Sequence, residues 1–264
     1  MADHRVEMVM GTAISVDVRQ PGVGDSGLDA VFAWFRRVDE VYSTYKEQSQ
    51  ISRLGRGEIL LDGCDPEVAN VLARCDEVRR ASGGAFDAWA TGVLDPSGLV
   101  KGWSVEQASA LLLERGGVNH CINAGGDIKV RGEPEAGRPW RLGIAHPFQR
   151  DALTVVVEGP DFAVATSGMA ERGPHVIDPR SGRPAVDLAS VTVVGDDLTL
   201  ADGYATAAVA KGRDAPDWLA TLAETTGYEA YVIDAGGHVW WTTGFERYAP
   251  ALREFPRPQL LARR

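Results

Sequence analysis

At 264 residues, with 44% hydrophobic and 24% charged residues, the chain has an ordinary globular composition and the length of one large domain or two closely fused ones. Its 37 acidic residues against 27 basic ones leave a net charge of −10, which argues against a general nucleic-acid binder and against an anionic membrane surface. The cysteines, Cys64, Cys75 and Cys121, are odd in number and lack CxxC spacing, so neither a disulfide framework nor a zinc site is expected.

The first residues, Met1-Ala2-Asp3-His4-Arg5-Val6-Glu7, hold no apolar run of signal-peptide length and no early cysteine to accept lipid. No stretch approaches a membrane span, and a cytoplasmic protein is expected. Leu28, Val31, Phe32, Phe35, Val38, Tyr42 and Tyr45 fall at helical spacing with charges between them, and Asp25 or Ser26 is placed to cap that helix. A second helix is expected from Asp65 as N-cap and Pro66 in the first turn, through Val68, Val71, Leu72, Cys75 and Val78, to a stop at Gly83-Gly84. A third is expected to start at Ser104, with Gln107 three residues on in capping-box spacing, and to end at Gly116-Gly117.

After Gly117 the pattern turns to strands. Short β-branched segments at 118–124, 140–146, 153–158, 162–166 and 190–194 are separated by Gly, Pro or Asp. Helices are expected at 200–211 and 216–225, then a hairpin at 228–234 and 238–242 joined through Ala235-Gly236-Gly237. Helices and strands mix without strict βαβ alternation, so the class is α+β, with mixed or antiparallel sheets and packed helices in one domain over 1–264. The tail after Glu254, with Pro256, Pro258 and three arginines, is expected to be loose.

The commonest catalytic motifs are missing: there is no GxxxxGK[ST] loop, no GxGxxG after a strand, no HExxH and no GxSxG elbow. Four polar clusters remain. Asp95-Pro96-Ser97-Gly98-Leu99-Val100-Lys101-Gly102-Trp103 reads as a tight turn entering a helix, with Lys101 as a point charge for phosphate. Asn123-Ala124-Gly125-Gly126-Asp127 is a strand running into two glycines and an acid, either a ligand-facing bend or a plain turn. Ala165-Thr166-Ser167-Gly168 and His175-Val176-Ile177-Asp178-Pro179-Arg180-Ser181-Gly182 combine turn chemistry with a histidine suited to general-base work or to a structural role. Asp202 and Thr206, four apart in a helical stretch, share one face and offer Mg²⁺ two hard oxygen ligands. Taken singly, none of the four suffices.

Taken in order, these clusters resemble the ApbE family, the FAD:protein FMN transferases. The likeness runs from Met10-Gly11-Thr12 through Val41-Tyr42-Ser43-Thr44-Tyr45, Ser49-Gln50-Ile51-Ser52-Arg53-Leu54 and Ser82-Gly83-Gly84-Ala85-Phe86-Asp87 to the four clusters above, over roughly residues 8–245. It implies an ApbE-type, T-fold-like architecture. It also implies a magnesium-dependent enzyme that splits FAD, passes FMN to a Ser or Thr hydroxyl of an acceptor protein and releases AMP. In such a family Asp202 and Thr206 would hold Mg²⁺ with backbone carbonyls at Gly98 and Ala205. Met10, Tyr45, Ala85, Phe86, Asp87, Asp95, Lys101 and Ile177 would line the FAD site, and His175 would act in transfer. Alternatives that use the same residues are a magnesium-dependent FAD pyrophosphatase and a flavin-binding protein without turnover. The chain departs from the family at Gly55, where Asn is common, at Glu106, where Asp is usual, and in lacking a signal or lipid anchor.

Overall fold

The computed structural model describes residues 3–169, 173 and 176–255; His175 and the tail from residue 256 lie outside these described residues. The chain opens with a hairpin, β1 (Asp3–Val9) and β2 (Thr12–Val18), which is not among the elements expected above. Its two-residue turn, Met10-Gly11, has positive φ at both positions (55° and 73°), as a tight hairpin twisted with its strands requires. Helices α1 (Gly24–Tyr42), α2 (Gln50–Gly55), α3 (Pro66–Ala81) and α4 (Ser97–Glu114) follow. Next come β3 (His120–Ala124), β4 (Asp127–Arg131), β5 (Trp140–Ala145), β6 (Leu153–Gly159) and β7 (Phe162–Gly168). The short pair β8 (Ile177–Asp178) and β9 (Arg183–Pro184) precedes β10 (Leu188–Gly195), α5 (Leu198–Lys211), α6 (Ala215–Thr226), β11 (Glu229–Asp234) and β12 (Val239–Trp241).

Eight strands form one antiparallel sheet in the order β1-β2-β3-β4-β7-β10-β11-β12. Because successive side chains point to opposite faces, each central strand serves two cores. Ile14, Val16, Ile122, Ala163, Ala165, Val191 and Val193 pack with the helices, chiefly against Phe32, Phe35, Leu99, Leu112 and Ala201. Ile128, Val130, Phe162, Val164 and Tyr231 face the other way and are covered by Trp140 and Val157 of the β5–β6 hairpin and by Phe245 and Leu252. The class is α+β, as expected.

Several local expectations change. α1 starts without a side-chain cap from Asp25 or Ser26; the Asp3 carboxylate, from β1, accepts the Gly24 N–H at 2.9 Å instead. The helix stops at Tyr42, so Tyr45 lies beyond it in the following turn. Asp65 occupies the N-cap of α3 but caps no amide, since its carboxylate is 3.0 Å from Arg37. The largest correction concerns α4, which begins at Ser97, not at Ser104. Asp95 accepts the Ser97 N–H at 2.9 Å, while Ser104 donates to the Lys101 carbonyl at 2.7 Å and caps nothing. Gly98 and Gly102 therefore lie inside a helix.

They are tolerated there because α5 packs directly on them. A Cβ on Gly102 would stand 2.8 Å from Asp202 Cβ and would collide with the Leu198 carbonyl oxygen. Gly102→Ala is expected to cost about 1–3 kcal/mol by overpacking, lowering the melting midpoint by roughly 3–9 °C in differential scanning calorimetry. An unchanged midpoint would show that the two helices separate freely.

His120 ties β3 to α4 and predicts an acid-sensitive stability. It is fully buried, with Nδ1–H donating to the Gly117 carbonyl at 2.5 Å and Nε2 accepting from Ser109 Oγ at 2.7 Å. Burial pushes its pKa down from 6.5 to about 4. The unfolded chain thus binds this proton more readily than the folded one. The stabilisation is complete above pH 6.5 and is lost as the pH falls toward 4. Urea titrations at pH 7 and pH 4.5 should differ by about 2–3 kcal/mol from this group alone, and His120→Leu should remove that share of the slope.

Candidate active site

The site forms where α4 and α5 touch. Asp202 and Thr206, one turn apart on α5, meet Gly102 and Gly98, one turn apart on α4. Asp202 Oδ2 accepts the Gly102 N–H at 2.9 Å, and Thr206 Oγ1 donates to the Gly98 carbonyl at 3.3 Å. Ala205, wholly buried, lies between the two side chains in sequence. Ser167, near the end of β7, brings its hydroxyl to 3.3 Å from Thr206 Oγ1. The absent side chain at Gly98 leaves room for Thr206 and for the Phe86 ring.

Asp127, which begins β4, completes the group. Gly125 and Gly126 turn the chain with φ of 59° and 94°, and a Cβ on Gly125 would stand 2.5 Å from Thr12 Oγ1, so the β3–β4 turn can stack on the β1–β2 hairpin only without one. Asp127 is fully buried, and its Oδ1 accepts the Thr166 N–H at 3.2 Å. Its Oδ2 lies 2.7 Å from Lys101 Nζ. Asp202, 3% exposed, stands against this pair. Burial first, then the Asp127 charge, hold the Asp202 carboxyl well above the usual carboxylate range; Lys101 and the Gly102 N–H pull the other way.

Burial and the Asp127 charge disfavour the ionised form of Asp202, and a divalent cation bound here would supply the counter-charge that favours it. The donors at hand are carboxylate, hydroxyl and carbonyl oxygens, the set Mg²⁺ prefers. Among the described residues no three His, Cys, Asp or Glu side chains gather as a metal cluster, so a bound ion here would complete its shell with substrate phosphate and water. The residues therefore fit magnesium and do not suit a soft transition metal.

The remaining expected site residues take separate places. Met10 crosses onto α4, where its sulfur accepts a long contact from Ser104 Oγ at 3.8 Å. Ala85 and Phe86 are buried, and half-buried Asp87 accepts the Trp89 N–H at 2.8 Å. Asp95 is tied back to that loop through its N–H, which donates to Ala88 O at 2.7 Å. Ile177 is half-buried in the β8–β9 hairpin, whose Arg180 donates to the Ala210 carbonyl of α5 at 3.3 Å. Tyr45 stands 96% exposed. Asp127 and Ser167 were quoted in the sequence clusters but not singled out. The Gly-Gly-Asp turn was the available signal, and only the burial of Asp127 and its bond to the Thr166 N–H of β7 show that the acid points inward.

The two departures from the family pattern have structural consequences. A Cβ on Gly55 would come 3.0 Å from Leu94 Cβ, so an Asn there would press on the segment that delivers Asp95. Glu106 is a tie between elements: Oε1 is 2.9 Å from Lys129 Nζ and 3.5 Å from Arg131, while Oε2 accepts the Leu198 N–H at the start of α5 at 2.8 Å. Lys129, 1% exposed, also donates to the Asp196 carbonyl. A groove of about 670 Å³, lined by Ser15, Asp17, Arg19, Cys121, Asn123 and Trp140 among others, opens on the opposite face of the sheet and includes none of these site residues.

One antiparallel sheet, helices on one face and an oxygen-lined crease between α4 and α5 define an α+β protein of the ApbE flavin-transferase fold. The structure superposes on the flavin transferase ApbE from Vibrio cholerae with a TM-score of 0.82, covering 94% of this chain and 99% of that one at 22% identity. The ApbE protein from Thermotoga maritima gives 0.82 over the same shares at 20% identity. In sequence, the chain is 27% identical to the FAD:protein FMN transferase of Vibrio cholerae serotype O1 over 273 residues, 80% of this chain and 82% of that protein. It is 36% identical to the FAD:protein FMN transferase of Rhodobacter capsulatus over 133 residues, which span 47% of this chain and 25% of that protein. The ApbE family profile matches residues 10–94 and 90–232, and the chain belongs to the ApbE family.

Proposed function

We propose that the protein is a magnesium-dependent FAD:protein FMN transferase that joins FMN to a Ser or Thr hydroxyl of an acceptor protein and releases AMP. One observation carries the chemical part of this reading: Asp202 and Thr206 meet the same stretch of α4 that presents Lys101, within a crease rich in oxygen donors. The acceptor oxygen attacks the phosphorus on the FMN side of the diphosphate, the bond to the AMP oxygen breaks, and the hydroxyl proton leaves with a base. Bound at Asp202, Thr206 and the Gly98 and Ala205 carbonyls, Mg²⁺ would neutralise the diphosphate and the charge developing on AMP. Lys101 supplies a second positive centre on the same phosphates. His175 is assigned the proton on the strength of the resemblance, and its side chain lies outside the described residues. Met10, Tyr45, Ala85, Phe86, Asp87, Asp95 and Ile177 are proposed to hold the flavin dinucleotide. The 264 residues are proposed to act as one unit, because a single sheet serves both cores.

Among the described residues no helix is long and apolar enough to cross a membrane. The deciding experiment incubates the protein with FAD, Mg²⁺ and a candidate acceptor. Stoichiometric AMP by chromatography and an FMN-sized mass increment on the acceptor are expected, and EDTA should abolish both. Free FMN with no adduct on any acceptor would favour hydrolysis, and retained FAD without AMP would favour a carrier.

A further inference from the structure

We propose that Asp127 is a positioning residue: its buried carboxylate, set by the Thr166 N–H, holds the Lys101 ammonium 2.7 Å away at the edge of the α4–α5 crease, where it faces the FAD diphosphate. This rests on the flavin-transfer reading above. Asp127 is itself fully buried, whereas the Lys101 side chain is 27% exposed, so the lysine is the member of the pair that can reach a ligand. A lysine alone is a flexible point charge whose rotamer freedom must be lost on ordering. Anchoring it to an acid on a strand removes much of that freedom before substrate arrives.

The anchor is rigid for identifiable reasons. Asp127 follows the Gly125-Gly126 turn, its residue pairs with Ala124 in the β3–β4 ladder, and its second oxygen is held by the backbone of β7. The same carboxyl stands against Asp202, so its charge also adds to what a divalent ion meets. A buried acid beside another acid is costly unless a cation repays it. An asparagine in this place would satisfy Thr166 equally well, so hydrogen bonding alone does not explain the charge.

The test uses the full chain and three variants: Asp127→Asn, Lys101→Met and the two combined. Mn²⁺ affinity is measured by electron paramagnetic resonance without FAD, and kcat and KM by AMP release. Asp127→Asn should weaken Mn²⁺ binding about 10–100-fold, the range seen when groups supporting metal ligands are removed. Each single change should lower kcat at least tenfold, and the double variant should be no worse than the poorer single one, because both act through one ammonium. Multiplying kcat losses, or Mn²⁺ affinity within twofold of the parent, would overturn the assignment. Should Asp127→Asn fail to fold, Asp127→Glu takes its place: Mn²⁺ affinity should stay within threefold while kcat drops at least tenfold, and an unchanged kcat would refute the positioning role. Failure of the flavin-transfer reading shows separately, as no AMP release by the parent protein, and leaves the Mn²⁺ comparison decisive.

Discussion

Asp202→Asn is expected to reduce magnesium-dependent AMP release from FAD about 10³-fold, since several kcal/mol of charge stabilisation are lost and each 1.36 kcal/mol is tenfold. The substitution is chosen to spare the fold. An asparagine side chain keeps an oxygen that accepts the buried Gly102 N–H, which Asp202 Oδ2 now binds at 2.9 Å. It also removes one of two carboxyls crowded into the crease, a pairing that burial makes unfavourable on its own. The melting midpoint should therefore hold or rise while turnover collapses. The midpoint and AMP assays on one preparation separate the two effects, and activity within threefold of the parent would remove the metal from this position.

Glu106→Ala is expected to destabilise the protein by about 3–5 kcal/mol, because it strands the buried ammonium of Lys129. The change also uncaps Leu198 N–H at the first turn of α5, and Arg131 loses the same carboxylate. Since α5 carries Asp202 and Thr206, the damage should extend to the site as a rise in the Mg²⁺ concentration needed for half-maximal activity. The pair Glu106→Leu with Lys129→Met should recover most of the lost stability, because replacing both members of a buried ion pair by apolar side chains is often neutral. Urea denaturation of the single and double variants measures this directly. A loss below about 1 kcal/mol for Glu106→Ala would mean that water reaches Lys129 and that the pair is not truly buried.

Much of the helical framework was legible because burial and period agree. α3 starts at the expected Pro66 and ends at Ala81, just before Gly83-Gly84, and α5 and α6 appear within two residues of their expected bounds. The strands β5, β6, β7, β10 and β11 were read from β-branched runs in the same way. The β1–β2 hairpin was half legible: β2 alternates Ile14, Val16 and Val18 with Ser15 and Asp17, whereas β1 gives no apolar stripe. β1 is an edge strand that turns Arg5 and Glu7 toward α1, where they pair with Asp29 and Arg36, so its inward face is charged and not apolar. β4 does alternate, Asp127-Ile128-Lys129-Val130-Arg131, but its polar positions Asp127 and Lys129 are buried as ion pairs, so the alternation does not separate a solvent face from a core face.

Along the chain itself, Asp202 and Thr206 were bound to share a helical face, because a turn of 3.6 residues places positions four apart together whatever surrounds them. Short-range chemistry of that kind is written into neighbouring residues. That the Pro-Ser-Gly segment is helix, and that Asp127 joins Lys101 and Asp202, depended on groups far apart in sequence. Glycine in a helix interior is unfavourable by about 1 kcal/mol against alanine. Only the arrival of α5 at Gly98, where a Cβ would be tightly pressed, and at Gly102, where it would clash, turns that local penalty into close packing.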